Sequence, residues 1–182
     1  FMKSKLLYLL ICISLIACNP EESLTFETLT ISNDTCDNCT SISIEIPKAL
    51  GQTKLSETIN IALQEEIIAL LNFDEESHAQ TIEGATEAFV KDYEELSGKF
   101  PEESMPWEAK VNGTIIFENK DVLTIKLESY IYTGGAHGYG TNRFLNFDKI
   151  KEVELDRQEL FKNEDEFKTF TETLFRKQEN VP

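Results

Sequence analysis

The hydrophobic residues of this chain fall into two periods, and the period changes along the sequence. Leu24-Thr25-Phe26-Glu27-Thr28-Leu29-Thr30-Ile31 alternates, imperfectly, like a strand. A second alternating run, Ile42 to Ile46, stops at Pro47 and predicts another strand. The period then lengthens. Ile59, Ala62, Leu63, Ile67, Leu70 and Leu71 form one helical stripe, and Ser56 is placed to cap a helix running to about Asn72. Ser77-His78-Ala79-Gln80 reads as a capping box for a second helix, with Ile82, Ala85, Phe89, Tyr93 and Leu96 on its buried side. Gly98 stands where a helix ends, and Pro101 forbids continuation.

Alternation returns after a loop over 101–106. Trp107, Ala109, Val111, Ile115 and Phe117 share one face, and Leu123, Ile125 and Leu127 share the face of the returning strand. Asn119-Lys120-Asp121 turns the chain between them, so 107–132 predicts a hairpin. A glycine-rich loop over 133–142 leads to a strand at 144–147, and 151–155 predicts one more. Asp156 with Glu159 opens a short turn of helix. Asn163 with Glu166 caps a last helix, whose Phe167, Phe170, Leu174 and Phe175 are expected to face inward.

Helices and strands come in blocks, without βαβ alternation. The expected class is α+β, with helices packed on one face of a mostly antiparallel sheet that is incomplete at its C-terminal end. One domain, 24–182, accounts for the pattern.

The residues before 24 read as an address. Lys3 and Lys5 flank an apolar run from Leu6 to Ile16, 11 residues long. A membrane-spanning helix needs about 20, so residues 1–17 read as a signal peptide. The run ends in Leu15-Ile16-Ala17-Cys18, which resembles a bacterial lipobox. Cys18 is then the lipidation site, and acyl chains there would hold the protein on a membrane without spanning it. Residues 18–23 form a polar tether. The expected location is the bacterial cell envelope, facing the periplasm or the outside. Loss of Lys3 and Lys5 takes the net charge from −16 to −18. A surface this acidic repels phosphate backbones and excludes a nucleic-acid partner, while suiting a cationic one or simple solubility.

Outside the leader and the lipid site, the cysteines are Cys36 and Cys39. An oxidising compartment makes a disulfide the default reading. Asp37-Asn38 between them favours a tight turn. A redox pair would want a helix N-terminus, and a zinc site would want about four ligands. His78 and His137 are too far apart to supply a motif. No metal and no cofactor are expected.

The run Tyr130-Ile131-Tyr132-Thr133-Gly134-Gly135-Ala136-His137-Gly138-Tyr139-Gly140 carries the most unusual chemistry. Its glycines permit left-handed backbone and close approach. Its amides, with Tyr130, Tyr132, Thr133, Gly134, Gly135, His137 and Tyr139, form the candidate binding set for a polar ligand or an anion. The same residues also suit a bulged hairpin whose glycines only turn the chain. Walker, dinucleotide, nucleophile-elbow and zincin patterns are missing.

With Phe89-Val90-Lys91-Asp92-Tyr93, Pro106-Trp107-Glu108, Phe147-Asp148 and Glu159-Leu160-Phe161, this loop resembles a bacterial extracytoplasmic domain over roughly 40–180. That domain occurs in the RsiV anti-sigma factor, beside the deacetylase domain of PdaC, and in free-standing lipoproteins. The resemblance implies an envelope-facing α/β module. In RsiV the corresponding region senses lysozyme. The sigma-binding segment of RsiV and the H-x-x-x-H pattern of polysaccharide deacetylases are missing here. The expected function is therefore non-enzymatic binding of a cell-wall fragment or a cationic protein such as lysozyme. A hydrolase using His137, or a purely structural envelope module, is the alternative.

Overall fold

The protein is described by a computed structural model covering residues 24–33, 39–72, 79–102 and 104–181. Among these, six strands form one sheet: β1 (Thr25–Asn33), β2 (Ser41–Leu50), β3 (Glu108–Glu118), β4 (Val122–Tyr132), β5 (Tyr139–Asp148) and β6 (Val153–Glu154). They lie side by side in chain order. Every neighbouring pair is antiparallel except β2 and β3. That exception has a cause in the chain. Helices α1 (Lys54–Leu71) and α2 (Ile82–Lys99) separate β2 from β3 and form the crossover that parallel neighbours require. A turn of 3-10 helix (Arg157–Leu160) and α3 (Glu164–Glu179) follow the sheet. The fold is α+β.

The core follows the two periods. Ile42, Ile44 and Ile46 of β2, Ala109 and Val111 of β3, Leu123, Ile125 and Leu127 of β4, and Leu145 and Phe147 of β5 are buried on one face. Ile59, Leu63, Ile67 and Leu71 of α1 and Ala85 and Phe89 of α2 are buried with them in one cluster. The opposite sheet face carries Lys126, Glu128 and Asn146 among its residues, in line with a one-sided antiparallel sheet.

Several local expectations change. Pro47 does not end β2, which continues to Leu50. β3 pairs with β2 only over Ser41–Glu45, so at Pro47 that edge has no ladder for a missing N–H to interrupt. The proline ring packs instead on Gly113. A Cβ there would lie 2.8 Å from Pro47 Cδ, 3.0 Å from Ile46 Cγ2 and 3.1 Å from Leu127 Cδ2. Thr53, not Ser56, caps α1, and its Oγ1 accepts the Ser56 N–H at 3.1 Å. Thr81 caps α2 by accepting from Gly84 N–H at 3.0 Å. Ser77 and His78 of the expected capping box lie outside the described residues. Gly98 is inside the last turn of α2, whose C-cap is Phe100, and Leu96 is exposed.

A register shift between Ile115 and Phe117 turns Phe117 out of the core row, leaving it 52% exposed. Strand β5 begins at Tyr139, inside the expected loop, and β6 is only two residues long. The expected inward face of α3 is corrected most sharply. No residue of α3 is buried, and Phe167, Phe170, Leu174 and Phe175 are all exposed. Periodicity shows which residues share a face, and it does not supply an element to cover that face.

Candidate functional site

The glycine-rich run is the connection of the β4–β5 hairpin. Its last paired residues are Ile131 and Tyr139, leaving 133–138 unpaired. Gly134 and Gly135 have φ of +96° and +88°. Side chains with a Cβ rarely adopt that region, and two in succession reverse the chain in a small space. A Cβ at either position would meet nothing within 4 Å. The requirement for glycine there is therefore one of backbone conformation alone.

Gly138 is constrained differently. It lies against the ring of Tyr130, where an added Cβ would sit 2.6 Å from Cε2 and closer still to Cζ. Tyr132 closes the loop from the other side. Its hydroxyl donates to the Gly135 carbonyl at 3.1 Å and lies 3.4 Å from Met105 Sδ. Below the loop, the hydroxyls of Ser129 and Thr141 are 2.6 Å apart across the two strands. The structure thus brings Tyr130, Tyr132, Gly134, Gly135 and Gly138 together in one chain reversal.

His137 and Tyr139 project from this frame. Both are exposed, Tyr139 by 72%. His137 Nδ1 is 3.2 Å from the Gly138 carbonyl. With Nδ1 as the donor, Nε2 is left as an acceptor facing water. Lys110, across β3 from Tyr130, contacts Glu108, and that hydrogen bond and charge hold its ammonium above the usual lysine range. The surface offers backbone amides, two phenol rings and an imidazole. It can stack and hydrogen-bond. The contact found for His137 orients it toward backbone, not toward a carboxylate that would make it a general base.

The neighbouring motif residues serve the core. Phe89 and Tyr93 of α2 pack on Trp107 at ring-centroid distances of 5.2 and 6.0 Å. This cluster anchors the start of β3 beneath the helix.

A second feature was not legible in the sequence. A trough of about 700 Å³ runs between Asn142–Asn146 of β5 and the segment from Glu154 to Phe167. Arg143 lines it and pairs with Glu66 of α1 at 2.6 Å. Glu154 also lines it. Desolvation, and then the charge of Glu66, push the Glu154 carboxyl above its usual range. Phe161 and Phe167 stack at 3.6 Å to form an aromatic wall. With 33 acidic residues in the chain, no spacing rule could single out Glu66 or Glu154.

Cys18 and Cys36 lie outside the described residues, as do the expected signal peptide (1–17) and tether (18–23). Cys39 is described and is not a free thiol. Among the described residues, no group of three or more His, Cys, Asp or Glu is placed to hold a metal ion.

Comparison with known proteins adds a family and a fold. The family model described as "Deacetylase PdaC" matches residues 34–139. No curated protein matches the chain. Solved structures that resemble it include two crystal structures of DUF3298-family proteins. One is a DUF3298-family member from Bacteroides fragilis, with a TM-score of 0.68 and 21% identity, covering 88% of this chain and 70% of that one. The other is a DUF3298-family protein from Pseudomonas aeruginosa, with a TM-score of 0.66 and 16% identity, covering 86% of this chain and 66% of that one. At these identities the likeness is one of fold.

Proposed function

The chain belongs to the Deacetylase PdaC family, and from that premise we propose that it is a non-enzymatic binding module of the bacterial cell envelope, held there by a lipid on Cys18. The observation that carries this reading is the setting of His137. It stands exposed on a glycine hairpin, with Nδ1 against the Gly138 carbonyl. A hydrolytic histidine works beside a nucleophile or an orienting carboxylate, inside a site that excludes water. The loop instead presents Tyr130, Tyr132, Thr133, Tyr139 and His137 on a frame fixed by Gly134 and Gly135. Such a frame suits recognition, because little order is lost on contact.

The ligand we propose is a cationic protein, with lysozyme as the test case. The net charge of −16 supports this choice, since an acidic face steers a basic partner. A soluble cell-wall fragment is the competing ligand. The Cys36–Cys39 disulfide belongs to the same proposal, and the engaged state of Cys39 supports it.

Purified protein titrated with lysozyme and with soluble peptidoglycan fragments, at low and physiological salt, tests the reading. Lysozyme binding that weakens as salt rises is expected. Turnover of a cell-wall substrate that disappears in His137→Ala would overturn it in favour of a hydrolase. Binding of neither ligand would leave a structural envelope module.

A further inference from the structure

Met105 touches the glycine hairpin from outside it, through its sulfur. Methionine is among the residues most often buried. Met105 is instead 60% exposed, although the chain on both sides of it is fixed. The Phe100 carbonyl accepts from Ser104 N–H at 3.1 Å and from Ser104 Oγ at 2.7 Å. Trp107 is buried against the rings of Phe89 and Tyr93. Between these anchors the thioether is held away from the core, with Sδ 3.4 Å from the Tyr132 hydroxyl.

That hydroxyl has one proton to donate and two acceptors within reach. The Gly135 carbonyl takes it at 3.1 Å. A thioether sulfur is a weak acceptor and does not compete. A sulfoxide is polar, and its oxygen is a strong acceptor. Oxidation at Sδ would therefore set a better acceptor beside the same hydroxyl and draw its proton from Gly135. Gly135 stands at φ +88°, and this hydrogen bond ties its carbonyl to the end of β4. Without it, the reversal over 133–138 loses a tie across its own backbone.

We propose that Met105 is a peroxide-sensitive modification site whose oxidation loosens the hairpin and weakens its hold on a partner. A sulfur lone pair attacks one oxygen of a peroxide. The S–O bond forms as the O–O bond breaks, and the sulfur is oxidised by two electrons. With hydrogen peroxide, the departing hydroxide takes the proton of the transferred OH and leaves as water, so the product is the sulfoxide. The effect on binding rests on the reading of this hairpin as a recognition surface. The oxidation and the exchange of acceptors do not.

The test treats the purified protein with hydrogen peroxide, removes the oxidant with catalase, and locates the added oxygen by peptide mass spectrometry. Met105 should oxidise in the native protein at a rate within about threefold of that in the urea-unfolded chain. The amide of Ala136, which shares a peptide unit with the Gly135 carbonyl, reports the acceptor exchange by nuclear magnetic resonance. Its shift should move in the oxidised wild type and return after treatment with a methionine sulfoxide reductase. Met105→Gln, which supplies a carbonyl acceptor, should move it without oxidant. Tyr132→Phe should take up the oxygen and show no movement. Affinity for lysozyme should fall roughly three- to tenfold on oxidation of the wild type, and peroxide should not change it in Met105→Leu.

A native Met105 that resists peroxide while the unfolded chain reacts would overturn the proposal. So would a sulfoxide that leaves Ala136 unmoved, or moves it equally in Tyr132→Phe. Equal loss of lysozyme binding in treated Met105→Leu would place the effect on other side chains and sink it as well. A wild type whose Ala136 responds but whose lysozyme binding does not change would overturn the control of binding and leave the recognition surface standing. A wild type that never binds lysozyme, yet shows the Met105-dependent response, would sink the recognition reading and leave the modification site.

Discussion

Replacing Gly134 or Gly135 by alanine isolates the conformational cost of the hairpin. Both residues have φ near +90°, and a Cβ at either meets nothing within 4 Å. A steric clash with neighbours therefore contributes nothing. What remains is the penalty for holding an L-residue at positive φ, roughly 1–2 kcal/mol at each position. Alanine also narrows the unfolded ensemble, which offsets about 0.4–1 kcal/mol when the native backbone suits it. Here the strain at positive φ outweighs that offset, so the net loss should fall near 1 kcal/mol per site. In a domain of this size that lowers Tm by about 2–4 °C. Gly134→Asn should lose less, since asparagine tolerates the left-handed region better. The assay is thermal and urea unfolding followed by circular dichroism, with His137→Ala as the comparison. His137 is exposed and contacts one carbonyl at 3.2 Å, so its removal should change stability by less than either glycine variant. Wild-type melting for both alanine variants would refute the claim that the loop's conformation depends on these glycines.

Three further outcomes follow from the same reasoning. Glu154 has a folded-state carboxyl pKa above its usual value, so the native state binds protons more readily than the unfolded chain, and stability falls as pH rises through this window. Glu154→Gln should therefore gain stability at neutral pH, and the gain should vanish in acid where both states are protonated; a loss at neutral pH would contradict this. Thiol counting on the exported, denatured, unreduced protein should find no free Cys36 or Cys39, and two free thiols would contradict the disulfide. A fatty-acid analogue fed to cells should label the wild type and not Cys18→Ala, and equal labelling would contradict lipidation at Cys18.

The parts of this fold that were legible in the sequence are those in which local period and core burial agree. Ile59, Leu63 and Ile67 share a helical stripe and are buried; Leu123, Ile125 and Leu127 alternate and are buried. Expectations failed where a tertiary neighbour decides. Pro47 continues its strand because β3 has already parted from β2 there, and Gly113 gives the ring room. Phe117 leaves the core because a bulge shifts its register, which alternation cannot foresee. The stripe on α3 is real as a pattern, but the neighbour that would bury it has no local signal. At the candidate site, glycine chemistry announced the reversal at 134 and 135. The role of Gly138, seated on Tyr130, needed the spatial contact. The trough beside β5 needed topology, because Glu66 comes from a helix far back in the chain from Arg143 and Glu154, which sit on two later strands.

Binding without turnover is the central claim, and one capture experiment addresses it. The purified chain and its His137→Ala variant are immobilised and exposed to a mixture of lysozyme and soluble peptidoglycan fragments, with a bare matrix alongside. The retained and released species are then weighed by mass spectrometry. The account predicts that lysozyme is retained, less strongly at physiological than at low salt, and that fragment masses match those from the bare matrix plus lysozyme, for both proteins. New fragment masses that appear with the wild type and vanish with His137→Ala would contradict it, and so would a column that retains nothing.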